Sequence, residues 1–254
     1  MSGAQVPLAL VLPRRRAMGR ADFIETQANA EAAALMAAWR LWPERRLALC
    51  GPEGSGKTHL AHVFMAESGA ARVAARDLAA ADAPGLVARG AAVVEDVDRI
   101  ADAPPETPPD APPETPPGAP PETPPGGAAR AEAALFHLMN LAAAEGCALL
   151  LTGRAAPARW PVALPDLASR LAALTPARLG PPDDALLAAV IAKALDDRGL
   201  RFEAGVPAFL AMRIERTFAA AEAVVARLDA ASLAQGRAVT RKLAGEVLTA
   251  TKGA

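Results

Sequence analysis

Gly51-Pro52-Glu53-Gly54-Ser55-Gly56-Lys57-Thr58 follows directly on the apolar run Leu47-Ala48-Leu49-Cys50. The octet reads G-x-x-x-x-G-K-T between a short apolar run and a stretch without helix breakers, which is the strand, glycine loop and helix start of a phosphate-binding P-loop. Glycines are needed there because backbone N–H groups must turn inward around the phosphates, where a side chain would stand in the way. In that arrangement the backbone of Gly51, Pro52, Glu53, Gly54, Ser55 and Gly56 cradles a nucleotide's phosphates. Lys57 reaches the β- and γ-phosphates, Thr58 ligates Mg²⁺, and the positive end of the following helix lies on the anion.

Working outward, apolar runs and helical patterns alternate on both sides of this loop. Asn29 stands where a helix N-cap is expected, ahead of the alanine-rich segment 30–40. Strands are expected at 46–50, 71–75, 91–94, 147–152 and 177–179. Helices are expected from the P-loop to about 67, then at 78–89, 130–145 and 164–174. From residue 181 the pattern is helical throughout, over 183–197, 206–214, 217–233 and 240–248, the last with Thr240 as N-cap. Alternating strands and helices followed by helices alone predict an α/β fold, with a parallel-sheet nucleotide domain over 22–180 and a small all-helical lid domain over 181–254.

Residues 103–126 interrupt this pattern with three copies of the octet Ala-Pro-Pro-Glu-Thr-Pro-Pro-(Asp/Gly). Paired prolines exclude helix and ladder hydrogen bonds, and the unit has no apolar face to bury. It reads as a solvated loop expansion, since surface insertions cost little closure entropy. A proline-rich ligand for a groove is the alternative.

At 254 residues, 52% of them hydrophobic, the chain is long enough for a substantial core; aromatics are 4% and tyrosine is absent. A net charge of −1 offers no overall basic field for nucleic acid. Cys50 and Cys147 both lie in apolar runs and read as buried thiols of a reduced compartment. Val6 to Leu12 is too short to span a bilayer, and Arg14-Arg15-Arg16 follows it where a secretory signal has its charges first. A soluble cytoplasmic protein without membrane contact is the expectation.

Glu95 and Asp96 close the apolar strand after the P-loop. In P-loop enzymes an acid there holds Mg²⁺ and a second polarises the attacking water. The usual order is Asp then Glu; here the shorter side chain stands second, so nucleotide binding is better supported than fast hydrolysis by this chain. Thr152 ends the fourth strand, where a hydroxyl can sense a γ-phosphate.

Together Gly51 to Thr58, Val93-Val94-Glu95-Asp96, Leu150-Leu151-Thr152-Gly153, Leu164-Pro165-Asp166-Leu167-Ala168-Ser169-Arg170 and Glu215-Arg216 resemble the DnaA-related AAA+ family, and more closely its Hda regulators. The resemblance runs from about Phe23 to Leu248, apart from the proline insert. It implies that Arg170 is an arginine finger acting in trans on a neighbour's nucleotide, and that Arg216 is a lid arginine touching this chain's own. It further implies that Thr152 is the polar sensor and that Phe23 and Ile24 lie near the adenine of bound ATP or ADP. Hda regulators carry a glutamine-plus-aliphatic peptide that docks on the DNA sliding clamp. Gln5-Val6-Pro7-Leu8-Ala9-Leu10 is similar, with Gln5, Leu8 and Leu10 as its anchors. The chain stops at Ala254 without a basic helix-turn-helix, so sequence-specific duplex binding is not expected. The implied function is a regulator that promotes hydrolysis of DnaA-bound ATP together with the clamp. The alternative is a nucleotide-dependent loader that recruits a partner such as the replicative helicase. Self-association is left open.

Overall fold

The computed structural model describes residues 19–20, 23–26, 28–104 and 126–251. Strands β1 (Arg46–Cys50), β2 (Ala71–Ala74), β3 (Ala91–Glu95), β4 (Ala148–Gly153) and β5 (Pro176–Arg178) form one sheet of order β2-β3-β4-β1-β5. Every pairing is parallel, so all the C-terminal strand ends lie along one edge. The central strands β1 and β4 are buried along their whole length. Parallel strands covered on both faces read as continuous apolar runs, which is why Leu47–Cys50 and Ala148–Leu151 were legible as strands.

Helices cover both faces. On one, α1 (Ala30–Ala37) and α2 (Lys57–Ser68) pack Met36, Leu60 and Phe64 on Leu47, Leu49, Val93 and Leu150. Phe64 is stacked on Trp42 at 5.2 Å between ring centroids and edge-on to Trp39 at 5.7 Å. Such pairs add about 0.5–1.5 kcal/mol each beyond the area they bury. On the other face, α3 (Ala83–Val87), α4 (Gly127–Ala144) and α5 (Pro165–Ala172) bring Val87, Leu135, Leu138, Leu167 and Leu171 onto Ala48, Val94, Leu149 and Leu151. The alternation of neighbours along β1 between the two clusters is the two-residue period of a strand.

Beyond the sheet, α6 (Asp184–Asp196), α7 (Val206–Ala211), α8 (Phe218–Gln235) and α9 (Arg241–Thr251) surround a separate cluster that includes Leu187, Ile191, Leu210, Val224, Leu228 and Leu243. Asp183 caps α6 through the Leu186 N–H at 2.7 Å, and Thr217 caps α8 through the Ala220 N–H at 3.1 Å. The expected cap at Thr240 is formed as well, with the Leu243 N–H donating to its hydroxyl at 3.2 Å. Among the described residues no helix is long and apolar enough to cross a membrane.

Local expectations failed where tertiary contacts or proline intervened. Asn29 does not cap α1; its Oδ1 accepts from the Thr26 N–H at 2.9 Å and its amide donates to the Ile24 carbonyl at 2.9 Å, tying the entering loop. The helix expected over 78–89 is a 3₁₀ segment, Ala75–Ala80, followed by the five residues of α3. Pro84 explains the break, because it is tolerated in a helix's first turn and not in its interior.

Residues 105–125, most of the proline repeat, lie outside the described residues, as do Gln5, Leu8 and Leu10. The ends of the repeat meet: a Cβ on Gly127 would come within 2.2 Å of the Pro104 carbonyl oxygen. Deleting 105–125 is therefore expected to leave the melting temperature unchanged or slightly raised, since halving a loop saves about 0.6 kcal/mol of closure entropy. A fall of more than about 4 °C, the scale of 1 kcal/mol for a chain of this size, would show that the repeat packs on the domain.

Candidate functional site: the P-loop and the strand ends around it

The loop between β1 and α2 lies at the C-terminal edge of the sheet, between the ends of β4 and β5. The Gly51 N–H donates to the Gly153 carbonyl at 3.2 Å, and the Leu179 N–H donates to the Cys50 carbonyl at 2.7 Å. Gly51 has no room for a side chain, because its Cβ would stand 2.5 Å from the Leu179 carbonyl oxygen and 2.6 Å from Ser55 Oγ. Gly56 has φ 94°, a left-handed conformation that glycine alone adopts freely, and it starts α2.

Lys57 Nζ donates to the Gly51 carbonyl at 2.6 Å and the Pro52 carbonyl at 2.9 Å. The ammonium thus lies across the mouth of its own loop, with a third hydrogen to give to an anion. Burial pushes its pKa below the usual lysine value; Asp96 and Asp98 oppose that shift and Arg154 adds to it. Two buried polar atoms beside this loop have no hydrogen-bond partner among the described residues, Ser55 Oγ and Asp98 Oδ1. Orphaned polar atoms around a glycine loop suit a polyphosphate and a cation. Among the described residues no group of three or more His, Cys, Asp or Glu stands ready to hold a metal ion by itself. That donor set fits Mg²⁺ arriving on phosphate oxygens, which needs only one or two protein oxygens. Thr58, exposed in the first turn of α2, supplies a hydroxyl.

Glu95 ends β3 and is paired in this structure. Its carboxylate pairs with Arg72 of the edge strand β2 at 2.9 Å. The two line a cleft of about 600 Å³ with Arg76, Asp77, Asp96 and Arg99. Asp96 has φ 56°, a strained conformation for a non-glycine residue, and is followed by the 3₁₀ turn Val97–Asp102 that brings in Asp98. Asp96 and Asp98 are the carboxylates whose charge opposes the lowering of the Lys57 pKa by burial. The only sequence signal for Asp98 is its place two residues past Asp96.

Thr152 lies at the end of β4, and its hydroxyl oxygen accepts from the Asp96 N–H at 3.1 Å, holding the strained turn against the neighbouring strand. Its own hydroxyl hydrogen points elsewhere, since the oxygen is the acceptor in that bond. Phe23 meets His59 of α2 edge-on at 5.4 Å, and Ile24 engages Asn29 through its carbonyl. Glu53 pairs with Arg154 at 3.1 Å.

The helices after the sheet touch the loop next to Arg216. That side chain pairs with Asp184, the first residue of α6, at 3.0 Å, and remains 60% exposed. The contact is made by its neighbours. The Phe218 N–H donates to the Gly54 carbonyl at 3.4 Å, and a Cβ on Gly56 would be 3.0 Å from the Phe218 ring. Thr217 and Phe218 escaped the sequence reading because nothing local marks a helix start for contact with a loop more than 150 residues upstream.

Arg170 is in the last turn of α5 and half-buried. Its guanidinium lies over the Phe136 ring at 4.5 Å, and its Nη1 donates to Asn140 Oδ1.

Known proteins bear on this arrangement. No protein-family model and no curated protein matches the chain. Solved structures do. Domain III of the replication initiation protein DnaA from Thermotoga maritima superposes with a TM-score of 0.69 at 18% identity, covering 94% of this chain and 98% of that one. AMPPCP-bound DnaA from Aquifex aeolicus does so at 0.58 and 16% identity, covering 80% of this chain and 62% of that one. A RuvB variant from Thermotoga maritima matches at 0.57 and 15% identity, over 87% of this chain and 65% of that one. What these likenesses show is the fold: the chain has an AAA+ fold, a five-stranded parallel sheet with helices on both faces followed by a cluster of helices.

Proposed function

We propose that this chain binds ATP or ADP with Mg²⁺ at Gly51–Thr58 and acts in the cytoplasm as a regulator of replication initiation, promoting hydrolysis of ATP bound to DnaA. The observation that carries the reading is the likeness to DnaA domain III over 94% of the chain, with Lys57 set in the mouth of its loop. The neighbour from Aquifex aeolicus holds AMPPCP, which supports a nucleotide at the equivalent loop here. Thr58 and the Asp96–Asp98 pair would hold Mg²⁺, the role first expected of Glu95, because those two acids are the ones near Lys57. Mg²⁺ held there would supply neutralisation of phosphate charge; the chain's own part is to order the loop, with Thr152 fixing the Asp96 backbone and Thr217 and Phe218 packed on Gly54 and Gly56. Arg170 is donated to the nucleotide of a DnaA molecule packed alongside, where a guanidinium stabilises charge developing on the transferred phosphoryl group. Gln5, Leu8 and Leu10 tether the chain to the DNA sliding clamp, which raises its effective concentration near the initiator.

The test is hydrolysis of DnaA-bound ATP with and without clamp loaded on DNA, comparing the full chain with one lacking 5–10. Acceleration by the full chain, lost on removing either clamp or peptide, is the expected result. Acceleration indifferent to residues 5–10 removes the clamp tether and leaves the rest. No acceleration, with the replicative helicase captured instead, converts the reading to the loader.

A further inference from the structure

Glu132, Phe136 and Asn140 are spaced four residues apart on α4, so they form one stripe along the helix. All three point at α5 or at the chain leading into it. Glu132 is 5% exposed, and its carboxyl accepts three hydrogen bonds: Oε1 and Oε2 from the Ala163 N–H at 3.0 and 2.9 Å, and Oε2 from the Leu164 N–H at 2.8 Å. One turn on, the Phe136 ring underlies the Arg170 guanidinium at 4.5 Å. One turn further, Asn140 Oδ1 receives Arg170 Nη1. The start of α5 and its arginine are therefore held by one face of a single helix.

Packing alone does not call for this stripe. Its neighbours Ala131, Leu135, Leu138 and Met139 already bury α4 against the sheet. A carboxyl group taken out of water is a cost unless its oxygens are bonded, and here they are spent on orienting the lead-in to α5. Arginine has five N–H donors in a rigid fork. Among the described residues only Nη1 has a hydrogen-bond partner, so one face of the fork is stacked, one corner is tied, and the remaining donors are left for another acceptor.

We propose that Glu132, Phe136 and Asn140 are positioning residues for Arg170, holding its guanidinium in the orientation in which it meets a phosphate of a neighbouring subunit. The inference rests on Arg170 acting in trans as set out above. Its physical basis is preorganisation: a long side chain immobilised beforehand does not lose its rotamer freedom when the phosphoryl group is engaged. The acidic and amide groups never touch the nucleotide; they act through the arginine. A glutamate, an aromatic ring and an amide at steps of four, with an arginine 30 residues beyond the amide, is also a pattern that can be sought in other sequences of this fold.

The experiment is single-turnover hydrolysis of DnaA-bound ATP in the presence of loaded clamp, titrated with the full-length chain. The variants are Arg170→Ala, Asn140→Ala, Phe136→Leu and Phe136→Tyr. Asn140→Ala and Phe136→Leu should lower the maximal rate roughly 3- to 10-fold, the scale of one immobilised side chain, with the half-saturating concentration unchanged. Phe136→Tyr, which keeps the ring, should retain the wild-type rate, whereas a purely apolar packing role would be served as well by leucine. A second readout needs no partner: the Arg170 side-chain protons should show a ring-current shift in wild type and Phe136→Tyr, lost in Phe136→Leu. Asn140→Ala and Phe136→Leu at the wild-type rate, with Arg170→Ala inactive, would overturn the positioning role and spare the finger. Arg170→Ala at the wild-type rate would overturn both. Absence of the ring-current shift in wild type would overturn the geometry itself.

Discussion

Mg²⁺ with ATP or ADP is expected to raise the melting temperature of the wild-type chain, and Lys57→Ala is expected to erase that rise. At a hundredfold excess over Kd a bound ligand adds about 2.7 kcal/mol of stability. For a chain of this size that is a shift of roughly 5–11 °C. The alanine variant keeps the glycine loop and loses the one ammonium that lies across it, bonded to the carbonyls of Gly51 and Pro52. Its nucleotide-free melt will fall slightly because those bonds are gone, so the quantity to compare is the difference made by nucleotide. The pH dependence has a definite sign. Burial lowers the Lys57 pKa, so the charged form that a phosphate needs is lost as pH rises through a value below that of an ordinary lysine. Nucleotide affinity should therefore decline on the alkaline side earlier than a surface lysine would make it. A wild-type melt indifferent to both nucleotides would remove the nucleotide-binding proposal, and a full shift retained by the alanine variant would remove Lys57 from it.

Arg170→Ala should have the larger effect on rate. An arginine finger supplied in trans is worth about 10³ to 10⁵ in phosphoryl transfer. At 1.36 kcal/mol per decade, that corresponds to about 4–7 kcal/mol of transition-state stabilisation. Loss of the stack on Phe136 and the bond to Asn140 should cost this chain far less in stability, because the group is only half-buried and cation–π contacts at such sites contribute about 0.5–1 kcal/mol. A near-normal melt combined with collapse of DnaA-bound ATP hydrolysis separates the chemical role from a folding defect. Arg170→Lys should recover little, since an ammonium lacks the planar fork that both the Asn140 bond and a phosphate use. Equal rates for wild type and Arg170→Ala would end the trans-acting reading.

How far the fold was legible in the chain varied with how local each signal is. The strands were plain because each is a short apolar run, and the sheet's core strands are buried on both faces. The loop was plain because glycine spacing answers a backbone requirement that Gly51 and Gly56 meet within eight residues. Asn29 carried the composition of a helix cap, yet its side chain serves Thr26 and Ile24, because a competing set of backbone groups was closer once the entering loop folded. The site was legible in outline, whereas the pairings of its side chains were not. Glu95 and Asp96 were identified as the acids at the strand end, but β2 brought Arg72 beside one of them. The turn after Asp96 then placed Asp98 near Lys57.

The amino-acid sequence alone determined that this chain would build a glycine loop between a buried strand and a helix, inside an α/β sheet followed by helices. Those features depend on residues a few positions apart: glycines that free the backbone, apolar runs that must be buried, and caps that satisfy the first turn of a helix. Tertiary structure decided which charges face the loop and which are neutralised elsewhere. Arg216 went to Asp184 while Phe218 went to the glycines, and Arg170 went to α4. These outcomes depend on strand register, on a positive φ at Asp96 and on the meeting of helices far apart in the chain. An electrostatic partner is chosen by distance in space, and no spacing along the chain encodes that distance.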